Sequence, residues 1–412
     1  MSYKLKHSAL VILAMLLMHS LYAQTELKID AKHDHEIGFQ LDMNTASSLN
    51  NAMINASGFL NQDLKDENLN RLKDLNRGGS YADAKLFYRQ DRKELWGVKN
   101  LGFYFALEWH NLDEYRFTED LYKLVFYGNK SFAGQKADLT NSGRQSINYY
   151  QLKAGLHRKS INMKHRYGVN IAFNIGNKLN YFQFKDPSCF YTDPNGTQLS
   201  LNMNADFRQS DTSMTDWYQV AGYGAAIDLF YEFRKKDHYS ISVSVENLGI
   251  IHWNENTILF SENKQNDFTG IEVDNIFDMP NPLIQSSDTL MDYIYANSKQ
   301  NGQRIMTPAN LRLQYQQYFI SRKLLATALV EYRLFSYSLP LYQLDATYKI
   351  NKSIKLGPIL SYGGYTAFNA GLKMEFNFAK NYQLKLESRY ITGFAQHSFS
   401  GIGGFINFTY KI

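Results

Sequence analysis

Glu108 and His110 stand two residues apart in the run Phe103-Tyr104-Phe105-Ala106-Leu107-Glu108-Trp109-His110. In an extended chain both project from the same face. A carboxylate beside an imidazole is the base half of a hydrolytic site, and acyl transfer would also need a positioned serine. The sequence singles out no such serine, and the adjacent His397 and Ser398 point oppositely in an extended chain. His33, Asp34, His35 and Glu36 are metal-ligand types, but no further His or Cys cluster completes a set. Their other reading is a solvated approach to the first strand. Glu272, Asp274 and Asp278 are oxygen donors without EF-hand spacing. Cys189, the single cysteine, has nothing beside it to activate it and reads as an idle thiol. No phosphate-cradling glycine loop occurs, and the aromatic residues follow strand faces rather than a basic groove. The expectation is therefore a protein without catalytic residues, metal, cofactor or nucleic-acid partner. A lipid hydrolase built on Glu108 and His110, facing the lumen near an outer rim, is the remote alternative.

Composition says what kind of scaffold would position these side chains. The 412 residues include 30 Tyr, 27 Phe and 4 Trp, yet mean hydropathy is only −0.41. Membrane-spanning helices need runs of ~20 apolar residues, and this average is too low for a bundle of them. The aromatic load and 20% charged residues argue against a disordered chain. Lys4, Lys6 and His7 precede an apolar run from Ala9 to Met18, and Ser20-Leu21-Tyr22-Ala23 offers a cleavage site before Gln24. Residues 1–23 thus read as a secretory signal and 24–412 as one domain. The lone cysteine excludes an internal disulfide and, by its position, an N-terminal lipid anchor. Removing Lys4 and Lys6 lowers the formal charge from +5 to +3, too balanced to suggest nucleic acid.

The mature chain alternates apolar and polar residues in segment after segment. Ile406, Phe408, Tyr410 and Ile412 alternate with Asn407, Thr409 and Lys411; Tyr239, Ile241, Val243 and Val245 alternate with Ser240, Ser242, Ser244 and Glu246. The segments run ~10–13 residues, longer than the ~5–6 of globular strands but suited to tilted membrane strands. Tight turns near 158–160, 234–237, 321–323, 351–353 and 379–381 are separated by long connections, the asymmetry of outer-membrane barrels. Counting back from Ile412 places strands near 402–412, 382–392, 366–378, 354–363, 341–350, 324–336 and 309–320. Others fall near 238–250, 219–233, 162–176, 146–158, 98–109, 81–90 and 36–46, and residues 178–207 and 255–273 add or extend pairs. The fold class is all-β: a transmembrane up-and-down antiparallel barrel of about fourteen strands, the even number that closes without an edge.

Register around 379–381 sets Lys373 opposite Glu387 and Glu375 opposite Lys385, and one hairpin earlier Arg312 faces Glu331. Two readings stand: these residues pack and solvate the lumen, or they narrow it. Three stretches in long extracellular connections have helical periodicity. Leu60, Leu64, Leu72 and Leu75 share a face, with Asn61 as cap and Gly78-Gly79 as stop. Thr118 caps a second helix with the stripe Leu121, Leu124 and Val125, ending at Gly128; Ser287 and Asp288 open a third with Leu290, Met291 and Ile294. They read as a cap packed on itself, or as a lid over an apolar ligand site between 60–76, 117–127, 288–298 and the lumen.

The run Glu246-Asn247-Leu248-Gly249-Ile250-Ile251-His252-Trp253-Asn254-Glu255-Asn256 resembles an element of a family of uncharacterised Bacteroidota outer-membrane barrels. That family looks distantly similar to long-chain fatty-acid transporters and to type IX secretion system barrel proteins. The resemblance implies location in the outer membrane of a Gram-negative bacterium and a barrel fold, but no reaction. Many outer-membrane barrels end in an aromatic residue; here Ile412 is last, and Tyr410 would share that recognition role for the barrel-assembly machinery. Within the motif, Trp253 is expected at the outer interface, offering its N–H to headgroups. The leading expectation is a barrel that sits in outer-membrane lipid and binds or transports a small or hydrophobic compound. The alternative is a structural partner of a surface or periplasmic protein in secretion or surface assembly.

Overall fold

The computed structural model describes residues 35–50, 62–269, 292 and 294–412, apart from 197, 215, 217, 236, 237, 379, 380 and 395–399. Fourteen strands form a closed antiparallel barrel, in order β1 (His35–Ser47), β2 (Leu75–Gln90), β3 (Leu101–Thr118), β4 (Gly143–Lys159), β5 (His165–Phe184), β6 (Gly222–Lys235) and β7 (Tyr239–Trp253). They continue through β8 (Ala309–Phe319), β9 (Leu324–Leu334), β10 (Leu341–Lys349), β11 (Ile354–Gly363), β12 (Thr366–Phe378), β13 (Tyr382–Ser388) and β14 (Gly401–Lys411). Each strand pairs with its sequence neighbours, and β1 pairs with β14 from Glu36↔Lys411 to Ala46↔Gly401, which closes the sheet. Every expected strand is present. Within 178–207 and 255–273 the described residues extend the sheet: the far end of β5 pairs with Gln198–Gln209, which pairs with Ile258–Thr269.

The start of β1, the end of β14 and the tight turns lie at one end of the barrel, and the long connections at the other. Two connections at the loop end depart from the expected asymmetry. Residues 335–340 and 364–365 are short, and both fold back against β3, as described below.

Large apolar side chains point outward along the strands. Ile171 is 66% exposed, and Phe173, Leu311, Leu344 and Phe368 stand in the same outer belt. A water-soluble protein does not display so much contiguous apolar surface, so this belt faces lipid. No helix among the described residues is long and apolar enough to cross a membrane.

Trp253 corrects the expectation of an interfacial indole: it is fully buried inside the barrel, as is Ile251. The cause is a β-bulge. Pairing between β6 and β7 shifts register between Ile227 and Leu229, opposite Asn247, whose φ of 63° lies in the left-handed region. Asparagine tolerates that conformation better than branched residues do. The extra residue changes which sequence parity faces inward, so Val243 faces lipid while Ile251 and Trp253 face the lumen. Glycine makes room for them: a Cβ on Gly176 would sit 3.0 Å from both Ile251 and Trp253. In a variant with Trp96, Trp109 and Trp217 replaced by phenylalanine, brominated acyl chains should leave Trp253 fluorescence unquenched. Strong quenching would put the indole back at the lipid face.

Candidate functional site

The lumen is crossed by two stacked layers. The layer nearer the turn end is polar. Lys153 on β4 is 3% exposed, and its ammonium lies 2.9 Å from Glu108 on β3 and 3.0 Å from Asp228 on β6. It also donates to Asn247 Oδ1 at 2.6 Å, while the Asn247 backbone N–H donates to Asp228 at 2.7 Å. The bulge in β7 is thus tied into the charge network. Glu108 also meets Lys85 at 3.0 Å. Arg333 on β9 reaches Asp83 on β2 at 3.8 Å and covers the Tyr81 ring at 4.2 Å. Since β2 and β9 lie half a circuit apart, this contact spans the lumen.

His110 is held inside this layer, not at the outer rim. Its Nδ1 lies 2.7 Å from Asp83, and its Nε2 lies 3.1 Å from Glu108 and 2.9 Å from Gln151. Both ring nitrogens are occupied by carboxylate or amide oxygens, so neither meets the serine hydroxyl that the hydrolase reading required. Of the metal-ligand types at the chain start, His33 and Asp34 lie outside the described residues, as do Glu272, Asp274 and Asp278. His35 bonds Tyr88 and Gln90, and Glu36 pairs with Arg89. No group of three possible metal ligands occurs among the described residues.

The second layer is apolar. Leu112, Ile147, Tyr149, Leu179, Ile251 and Trp253 form one buried cluster. Tyr149 stacks on His110 with ring centroids 4.8 Å apart, joining the two layers.

The charged pairs expected from register lie in the same lumen. Lys373 meets Glu387 at 3.2 Å and also Asp345 at 3.6 Å. Arg312 meets Glu331 at 2.7 Å, and Arg389 approaches the same carboxylate at 3.9 Å. Glu375 is in register with Lys385, but its carboxylate turns to Lys355 on β11 at 2.6 Å. Direct opposition fixes the Cβ positions, whereas a long lysine from the other neighbouring strand reaches the same acceptor.

The first helix ends earlier than its periodicity implied, and the described part of the third lies apart from the first two. Helix α1 is Gln62–Leu69; Leu75, Gly78 and Gly79 already belong to β2. A Cβ on Gly78 would meet the Tyr115 hydroxyl at 2.5 Å, so this glycine serves strand packing and does not stop a helix. Helix α2 is Glu119–Tyr127, capped by the Thr118 hydroxyl and ended at Gly128 as expected. Its buried residue is Tyr122, with Leu121 in the same cluster, while Val125 is 64% exposed and Leu124 is half-buried. Leu64, Leu69 and Leu72 pack on α2 through Tyr122 and Phe117. Ser287, Asp288, Leu290 and Met291 lie outside the described residues. Ile294 is buried against Met203, Phe207 and Phe260 of the sheet extension. The described helical segments therefore form two separate packings, not one lid.

A cavity of 430 Å³ opens above the apolar layer at the loop end. Ile147 and Leu179 form its floor, shared with the buried cluster, while Tyr181, Tyr337 and Met306 form part of its walls. Arg116, Arg208 and Arg304 also line it. Its far wall is the inward-folded connection 335–340, held by Glu114. That fully buried carboxylate accepts from Ser336 Oγ at 2.7 Å, the Tyr337 N–H at 2.8 Å and the Tyr365 hydroxyl at 2.5 Å. A smaller cavity of 230 Å³ lies on the turn side of the polar layer, between Lys85, Arg166, Phe230 and Glu246. Arg116, Arg208, Arg304 and Glu114 were not singled out in the sequence. The inward parity of Glu114 and Arg116, two residues apart on β3, was the available signal.

Residues 32–383 match a family of unknown function, DUF5723. The chain belongs to this family. Among solved structures, this DUF5723 member is similar to the toluene transporter TodX of Pseudomonas putida, with 10% identity and a TM-score of 0.44 over 93% of this chain and 91% of that one. It is likewise similar to the toluene transporter TbuX of Ralstonia pickettii, at 9% identity and a TM-score of 0.46 over 92% and 90%. A FadL homologue of Pseudomonas aeruginosa gives 9% identity and a TM-score of 0.41 over 91% and 89%. These likenesses follow the course of the chain and assign no ligand to it. No curated protein matches significantly.

Proposed function

We propose that this DUF5723 member is an outer-membrane barrel of a Gram-negative bacterium, exported by its 1–23 signal, that binds a small compound at the loop-end cavity. Passage inward then requires the two lumen layers to rearrange. The 430 Å³ cavity supports this reading, because it lies within the ~300–1,000 Å³ of small-molecule sites and has an apolar floor inside a polar wall. The role is one of binding or transport, without chemistry on the ligand. Barrel purified from native outer membranes in nonionic detergent is expected to show heat-modifiable gel migration and to release a small organic compound on extraction. A freely soluble periplasmic protein would defeat the localisation. A stoichiometric protein partner with no extracted compound would defeat the binding role and favour a place in secretion or surface assembly. The crossing of the lumen by Arg333 and Asp83 is what keeps that second reading in view.

A further inference from the structure

We infer that the loop-end cavity selects a compact anion: a carboxylate or phosphate head carried on an aromatic or alicyclic body. This rests on the binding role proposed above and names its ligand class. The lining of the cavity contains three arginines and no carboxylate. Arg208 is answered by Asp206 at 2.7 Å. Among the described residues, no carboxylate lies within ion-pair distance of Arg116 or Arg304, and the buried Arg116 Nε has no hydrogen-bond partner. Glu114, two residues away on the same face, is saturated by the inward-folded connections. Arg116 also stands directly opposite Arg77 in the β2–β3 pair. Like charges opposed across strands destabilise a sheet, and an anion seated beside them relieves that repulsion.

The remaining geometry specifies the body. The Arg116 guanidinium lies 4.4 Å from the Tyr337 ring centroid, and Arg208 lies 5.3 Å from that of Tyr181. Each pair presents a flat, weakly hydrated surface that suits a ring and still reads an anionic head in a fork. Below them, Ile147 and Leu179 offer apolar contact. A cavity of about 150 Å³ holds one benzene, so 430 Å³ accommodates a body of two or three rings.

The test uses the full barrel in nonionic detergent with 2-naphthoate, 2-naphthyl phosphate and neutral 2-naphthamide as calorimetric ligands. At least one anion should bind about tenfold or more tightly than the amide, the effect of one charge-assisted hydrogen bond. The tighter anion identifies the head. Arg116→Gln with Arg304→Gln should abolish that preference, so that the folded variant binds anion and amide with equal affinity. Equal affinity for amide and anions overturns the selectivity but leaves the binding role intact, a comparison that needs no variant. Absence of binding by all three overturns both. An anion preference that survives in the folded double variant removes these arginines from the site and overturns the inference.

Discussion

Lys153→Met is expected to be among the most damaging single substitutions in the barrel, lowering stability by about 3–5 kcal/mol. The lysine is almost completely buried between Glu108 and Asp228, and its side chain also holds the bulge through Asn247. Methionine keeps much of the volume and removes the charge. Asp228 is then left buried without its cation and Glu108 keeps Lys85 alone, which is why breaking a buried ion network costs more than the network contributes when intact. The double variant Lys153→Met with Asp228→Asn should recover part of the loss, because Glu108 keeps Lys85 as its partner and Asp228 no longer carries an unpaired charge. Urea unfolding, followed by the heat-modifiable gel shift, measures both variants. A single variant that unfolds at the wild-type midpoint would show that water reaches this layer freely.

The second large effect is expected at Glu114. Glu114→Ala removes the acceptor shared by Ser336, Tyr337 and Tyr365, and each hydrogen bond to a charged group contributes about 1.5–3 kcal/mol. Because the three donors belong to two connections, one substitution releases both from β3. The Tyr337 amide should then exchange with solvent about a hundredfold faster, the equivalent of roughly 3 kcal/mol of lost protection. Hydrogen exchange read on the peptide containing 335–340 measures it, with Glu114→Gln intermediate because an amide oxygen still accepts. Unchanged exchange in the alanine variant would mean that these connections are held by packing alone.

The two effects differ in how much of their basis could be read from the sequence. All fourteen strands were legible, because lipid outside and water inside impose strict alternation, and tight turns mark one end. Arg312–Glu331 and Lys373–Glu387 followed from register alone. Trp253 did not: its inward position depends on one extra residue at Asn247, and alternation continued past that point gives the opposite face. Glu375 stands opposite Lys385 as register requires, but register names only the residue opposite and not the lysine reaching from β11. Glu114 bonds residues 222, 223 and 251 positions away, separations at which a single sequence has no periodic signal. The loop-end cavity is assembled from such distant pieces, so it became visible only with the barrel closed.

The seam between β1 and β14 bears on the order in which the molecule is made. The Ile412 N–H donates to the His35 carbonyl at 2.9 Å, so the first and last described residues of the barrel are hydrogen-bonded neighbours. No intermediate length of chain can satisfy β1 on both sides, and in lipid an unsatisfied edge costs several kcal/mol per group. Closure therefore waits until β14 is present. Its rate is governed by bringing together segments separated by nearly the whole sequence, the slowest kind of contact to form. Until then β1 and the growing edge each keep one row of unpaired backbone groups, so the β1–β14 pair is the last of the barrel's strand pairs to form.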